Sequence, residues 1–276
     1  MTSERSVRQL ATRLVEKVWG RDTLPDPFAA PDGERIGEIW FEPPPELPDL
    51  LVKYLFTSEK LSVQVHPSDD NAKEGEDGKE ECWLVLDAEP GAKLAIGFQR
   101  DFSVDEVEAA ARDGSIEGML TWHEVSAGDV YFLPPGTVHA IGPGLALVEV
   151  QQNSDTTFRL YDYGRPRELH LDRALAVAET GPYAPEHKGT IASRGENLIS
   201  GGQFRLDRIE GEPDAAMCEA YAGRLLALPL SGEVRAREGD GSARAGECLY
   251  AADIAALDFS DAQVTLLTRP NPDRPA

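Results

Sequence analysis

Basic side chains are what this chain has least of for its size: 27 Lys and Arg stand against 49 Asp and Glu in 276 residues, a formal charge of −22. A surface of that sign repels nucleic-acid phosphate and anionic lipid, which argues against DNA, RNA or membrane-surface partners. Cysteine is scarce as well. Cys82, Cys218 and Cys248 are odd in number and widely spaced, with no Cys-x-x-Cys pair, so neither a disulfide framework nor a thiolate zinc site is expected. Aromatic residues make up 7% of the chain, too few for the exposed rings of a polysaccharide groove. A small substrate fits better, and Trp40 and Trp83 read as packing residues. Long apolar runs are missing, because Leu145 to Val150 and Leu225 to Leu230 are far too short to span a bilayer. Met1 to Arg5 leads into an amphipathic segment without the apolar core of a signal peptide. The expectation is a cytoplasmic protein.

What is present is an ordinary globular composition, 41% apolar and 28% charged, in a chain long enough for one large domain or two modest ones. Val7, Leu10, Leu14 and Val18 follow helical spacing, so Ser3 to Val18 reads as a helix capped by Ser3 and closed by Gly20. A proline-rich loop follows. From Leu51 the pattern changes to short alternating runs broken by Gly, Pro and Asp: Leu61 to His66, Cys82 to Leu86, Lys93 to Gly97, Val130 to Leu133 and Leu145 to Val150. Such spacing predicts an antiparallel sandwich or barrel. Ser103 to Glu106 has capping-box form and Gly114 supplies a stop, which predicts one helical insertion near 103–113; another helix is expected at about Asp172 to Glu179.

A second run of strands is expected at Arg205 to Ile209, Leu225 to Leu230, Glu247 to Ala251 and Gln263 to Leu267. Gly128 to Pro134 looks like Gly246 to Ala252, and the position that holds His139 in the first half holds Leu257 in the second. This suggests a repeat that kept its strands and lost a polar group. The domain reading is 1–170 for the chemistry, 171–195 as a linker, and 196–276 as the second, degenerate unit.

Of the five histidines, His66 and His139 stand in informative contexts, while His123, His170 and His187 do not. Gln64 and His66 are two apart on an expected strand, so both leave the same face. Glu81 follows, at the start of the next run. After Gly128 come five residues, Pro134, one residue, Gly136, two residues and His139. That pattern resembles the second signature of the cupin superfamily. Gln64, His66 and Glu81 fill the places of the first signature, with Gln64 where a histidine is usual. Two imidazoles, a carboxylate and an amide oxygen suit Zn²⁺ or another borderline divalent ion.

The resemblance extends to one family. Leu61 to Pro67, Gly78 to Trp83, Pro134 to His139 and the run Glu149 to Asp162 are similar to type I phosphomannose isomerases (mannose-6-phosphate isomerases) of the short bacterial branch. Leu14 to Gly20 and Gly37 to Trp40 fit the same family, so the match covers about 10–170. The resemblance implies an all-β fold with helical insertions, a cupin (jelly-roll) barrel followed by a degenerate cupin-like domain. It implies one zinc ion on Gln64, His66, Glu81 and His139, catalytic roles for Arg159, Lys79 and Glu149, and substrate-binding roles for Ser62 and Arg165. Pro143 departs from the general cupin pattern, and the Gly142-Pro143-Gly144 turn puts the placing of Glu149's strand in question.

The implied reaction moves a proton between C1 and C2 of a phosphorylated sugar. A divalent metal can polarise the adjacent oxygens, a fixed cation such as Arg159 can hold developing charge, and one base must serve both carbons. Glu149 and Lys79 are both candidates for that base. Lys60, Lys79, Arg159 and Arg165 are the cations available for the phosphate of a small phosphorylated sugar. The rival is a non-catalytic metal-binding cupin that binds a sugar or sugar phosphate; an iron-dependent dioxygenase fits less well.

Overall fold

The structure, a computed structural model, describes residues 6–272, with the backbone alone at Arg194, Ser200 and Gly201, and is built from three antiparallel sheets. A seven-stranded sheet runs in the order Lys188–Thr190, Asp129–Leu133, Glu81–Ala88, Leu145–Gln152, Leu50–Phe56, Ile36–Phe41, Thr12–Arg21. A five-stranded sheet runs Phe158–Tyr161, Val63–Val65, His139–Ile141, Lys93–Phe98, Leu120–Glu124. The third sheet, of eight strands, has the path Val7–Gln9, Leu249–Ala251, Leu225–Ala236, Ala262–Pro270, Phe204–Glu210, Asn197–Gly201.

Alternation of side chains explains how the layers stack. On Leu145–Gln152, the side chains of Leu145 and Leu147 join Trp83, Val85, Leu94, Ile96 and Ile141 between the seven- and five-stranded sheets. Their neighbours Ala146, Val148 and Val150 point the other way and pack with Leu206, Leu226, Leu228 and Leu266 of the eight-stranded sheet. The seven-stranded sheet is therefore covered on both faces, which is why Leu50–Phe56 is buried at every position and reads as a near-continuous apolar run. The far face of the five-stranded sheet packs on Val107, Ala110 and Ala111 of the helix Val104–Asp113 and on Ala174 of the helix Leu171–Val177. The first of these has the expected capping box at Ser103 and a left-handed Gly114 at its end.

The cupin class is the one expected, with one difference: the sheets are open and packed face to face rather than closed into a barrel. Gly128 and Gly246 share a positive φ of 89° ahead of matching strands, and Leu257 begins a strand and is buried in the apolar core of the second half.

The expected helix over Ser3 to Val18 is not formed; Ser3 itself lies outside the described residues. The chain instead makes the strands Val7–Gln9 and Thr12–Arg21. Leu14 and Val18, half of the apparent helical stripe, are 42% and 54% exposed on the outer face of an edge strand. The inward positions are Arg13, Val15, Lys17 and Trp19, an alternation whose charged members hid it. Val7–Gln9 pairs with Leu249–Ala251 in the eight-stranded sheet, so the start of the chain lies with its last third. The stretch 171–195 also adds a strand, Lys188–Thr190, to the edge of the seven-stranded sheet. Strands at Ile36–Phe41, Leu50–Phe56, Leu120–Glu124 and Phe158–Tyr161 were not among those expected.

Candidate metal and substrate site

One end of the space between the five- and seven-stranded sheets is polar. On the five-stranded side, Arg159 pairs in register with Gln64, Gln64 with His139, and His139 with Ile96. Opposite runs a second cross-strand row in which Arg13, Trp40, Lys53, Glu149, Trp83 and Tyr131 are successive register partners. Glu81 pairs with Gln151 in the next row. The register of two antiparallel sheets thus brings together residues far apart in sequence.

The nucleus of the site is His66, Glu81 and His139, all buried, with one ligand-type atom from each lying within 4.8 Å of the others. His66 Nδ1 donates to the carbonyl of Thr156 at 2.8 Å, and His139 Nδ1 donates to that of Thr137 at 2.9 Å. Each ring therefore presents an unprotonated Nε2 to Glu81, at 3.3 Å from Oε1 for His66 and 3.7 Å from Oε2 for His139. Burial, against the pull of Glu81, pushes His139 down to about 3, and burial with the charge of Lys79 also lowers His66, so both imidazoles are neutral. Burial alone would raise Glu81, but the Lys79 ammonium leads the opposing pull and the carboxyl is held well below its ordinary range. Lone pairs thus converge with no proton between them, and neither His66 Nε2 nor Glu81 Oε2 has a hydrogen-bond partner. That is the arrangement a divalent cation satisfies, so the three residues can hold a metal ion.

Gln64 stands beside the three. Its amide nitrogen lies 3.2 Å from His139 Nε2, and its oxygen accepts from Ser62 Oγ at 3.0 Å. Turned end for end, the same amide faces the cluster with its oxygen while donating to Ser62. Lys79 Nζ sits 2.6 Å from Glu81 Oε1.

A cavity of about 340 Å³ opens onto this cluster, within the range of small-molecule sites. Ser62, Gln64, Lys79, Glu81, Glu149 and Arg159 all line it. Arg159 is half-buried, its Nε has no hydrogen-bond partner, and burial together with Arg167 lowers its pKa. Glu149 accepts from Trp83 Nε1 at 3.1 Å and meets Lys53 Nζ at 3.0 Å. Burial and the charge of Glu81 push Glu149 up to about 7, against the pull of Lys53 and Lys79. The turn at Gly142 to Gly144 leaves Glu149's strand in register there; the irregularity falls earlier, between Ala146 and Leu147. Trp83 packs edge-on against the His139 ring.

Arg165 and Lys60 are not brought to this cavity. Arg165 is held by the carbonyl of Lys60, by Asp162 and by Glu59, and Lys60 pairs with Glu117. Arg13, Lys17, Lys53 and Arg167 line the cavity instead, and sequence reasoning missed all four. Lys53 carried a usable signal: a lysine inside a run of buried apolar residues is an error unless it has a task. Trp40, read as packing, lies at the cavity wall with the Arg13 guanidinium 4.3 Å from its ring centre and its Nε1 donating to Glu38.

No protein-family model matches the chain. In sequence it is 42% identical over 199 residues to the mannose-6-phosphate isomerase of Streptococcus mutans (67% of this chain, 62% of that protein). It is 40% identical over 160 residues to the mannose-6-phosphate isomerase ManA of Bacillus subtilis (55% of this chain, 50% of that protein). These matches span only half to three-fifths of the curated relatives' own length. In structure the chain superposes on the mannose 6-phosphate isomerase from Bacillus subtilis with a TM-score of 0.78 at 26% identity, covering 96% of this chain and 100% of the other. A phosphomannose isomerase variant from Salmonella typhimurium shares the fold at a TM-score of 0.74 and 16% identity.

Proposed function

We propose that this chain, which has the fold of the phosphomannose isomerases and resembles them in sequence, interconverts mannose 6-phosphate and fructose 6-phosphate. The observation that carries the reading is one shared cavity. A cluster able to hold a metal, a buried carboxyl poised near neutrality and an arginine with an unbonded Nε all face the same space. A sugar-binding protein with no reaction to perform has no use for that combination.

The metal reading is zinc on Gln64, His66, Glu81 and His139, because neutral imidazoles, a carboxylate and an amide oxygen match its preferences. Bound there, zinc would supply a Lewis acid for the two adjacent sugar oxygens. The chain's own residues do the rest. Glu149 takes the proton from one carbon and returns it to the other, and a carboxyl whose pKa lies near the working pH is suited to both directions. Lys53 and Trp83 Nε1 hold that carboxylate in one orientation. Lys79 is the alternative proton carrier, and its contact with Glu81 also fixes the ligand carboxylate. Arg159 faces the developing negative charge from the opposite sheet, and Ser62 orients Gln64. Arg159, with Arg167 in its pair with Asp162, supplies the local positive charge that a phosphate requires in so acidic a chain. Residues 1–170 would carry this chemistry, with 196–276 a degenerate copy.

The test is a coupled assay for fructose 6-phosphate formed from mannose 6-phosphate, run on chelated and zinc-restored protein side by side. Activity lost on chelation and regained with zinc is the expected result. Folded, zinc-loaded protein that turns over nothing would replace this reading with the non-catalytic sugar-binding one.

A further inference from the structure

We propose that Glu80 is a positioning residue through which the eight-stranded sheet sets the geometry of Lys79 and Glu81. The inference rests on reading Glu81 as a metal ligand. Lys79 and Glu81 face the cavity, so Glu80, between them, faces the opposite way and meets the turn that joins Asn197–Gly201 to Phe204–Glu210. Its carboxylate is buried there and accepts from the backbone N–H of Gln203 at 2.8 Å, across 123 residues of sequence. Gly202 is shaped around it. Its φ of +63° is left-handed, and a Cβ at this position would overlap the Glu80 carboxylate.

The main chain of Glu80 is held from the first half of the molecule. Its N–H donates to Gln152 Oε1 at 2.9 Å, and its carbonyl accepts from Gln152 N at 3.1 Å. Gln152 is itself anchored on Asp69, which also accepts from Gly78 N at 2.8 Å. The side chain is held from the second half. A shift of this one residue turns the peptide planes on both sides, and those planes carry Lys79 and Glu81, whose side chains meet at 2.6 Å. A metal cluster tolerates displacements of only about 0.5 Å, so loosening the Gln203 contact reaches the ligand without touching it.

The experiment measures zinc affinity by competition with a chromophoric chelator, with thermal midpoint and isomerase turnover recorded alongside. Glu80→Ala and Gly202→Ala should each weaken zinc binding by about tenfold, the scale set by outer partners of metal ligands. Glu80→Gln keeps an oxygen for the Gln203 N–H and should stay within about twofold of the parent. Glu80→Ala combined with Gly202→Ala should bind zinc no more weakly than Glu80→Ala alone, because without the carboxylate the turn no longer acts on Lys79 and Glu81; the strain of an alanine at the left-handed Gly202 remains and shows in the thermal midpoint. Zinc affinity unchanged in Glu80→Ala, whatever its thermal midpoint, would reduce the contact to a structural tie and overturn the proposal. A parent protein without isomerase activity whose variants still show this pattern of zinc affinities would overturn the isomerase reading and leave this one standing.

Discussion

Lys53 and Glu149 face each other on adjacent strands, Nζ 3.0 Å from Oε1, with both side chains almost sealed from solvent. Lys53 also meets Glu38 at 3.2 Å, so one cation serves two carboxylates. The two respond in opposite directions. Burial pushes Glu38 up, but Lys53 and Lys17 together bring it down to about 2. Among the described residues Glu149 makes no ion pair with a second cation, and it feels the charge of Glu81, so burial prevails over the pull of Lys53 and Lys79 and it rises to about 7. Lys53 thereby stands between a carboxylate that is ionised at neutral pH and one that can exchange a proton.

Removing Lys53 should expose this arrangement. Lys53→Met leaves buried carboxylates short of a partner, and breaking a buried pair costs about 3–5 kcal/mol. The loss should be large at pH 8 and much smaller at pH 5, where Glu149 takes up a proton. Urea unfolding of the metal-free protein at both pH values measures it. An equal loss at both would mean that Glu149 is not the group left stranded.

Part of the pH dependence of metal-free stability follows from Glu149 and Glu38. Glu149 moves from an ordinary carboxylate value of 4.5 up to about 7 on folding, so between those values the folded state binds more protons. Its contribution to stability therefore falls as pH rises through that window. Glu38 acts in reverse: its contribution is present above 4.5 and is lost as pH falls toward about 2. Glu149→Gln should flatten the decline between pH 5 and 7 and leave the acid limb in place. A decline unchanged by Glu149→Gln would assign it to another group.

The core of this site was legible in the sequence, because its residues sit in short motifs with fixed spacing: Gln64 and His66 on one strand face, Glu81 and Lys79 at a strand start, His139 after its Pro-Gly turn. The structure brings Gln64, Glu81, Lys79, Glu149, Arg159 and Ser62 to one cavity, with His66 and His139 clustered on Glu81. Two basic residues follow Arg159 closely, and nothing in the spacing says which of them lines the cavity. Arg167 lines the cavity, while Arg165 binds Glu59 and Asp162. The opposite row was invisible for another reason. Thr12–Arg21 alternates charged and apolar residues on its cavity face and exposes Leu14 and Val18 on the other, so its period-2 signal was inverted and a helical spacing took its place. Pairing of Val7–Gln9 with a strand more than two hundred residues away leaves no local trace at all.

Arg159 and His139 should separate charge stabilisation from metal holding. Arg159→Ala removes a preorganised cation and should lower turnover by about 10²–10³-fold, with metal content unchanged. His139→Ala removes one of the three clustered ligands and should lose both metal and turnover. Metal content by emission spectrometry, read beside the coupled assay, distinguishes them. Near-parent turnover in Arg159→Ala would end its catalytic role.

The identity of the proton carrier is decided by pH profiles rather than by loss of rate alone, since either candidate's removal slows the reaction. Glu149→Gln should reduce kcat by about 10²–10⁴-fold, the range of a positioned general base, while zinc content stays at the parent level. It should also remove the acidic limb of kcat/KM, because that limb reports deprotonation of the carboxyl held between Lys53 and Trp83. Lys79→Met should slow turnover and weaken zinc binding through its contact with Glu81, yet keep the acidic limb. An acidic limb that survives Glu149→Gln and disappears in Lys79→Met would transfer the proton to Lys79 and leave Glu149 as a fixed charge that orients Lys53.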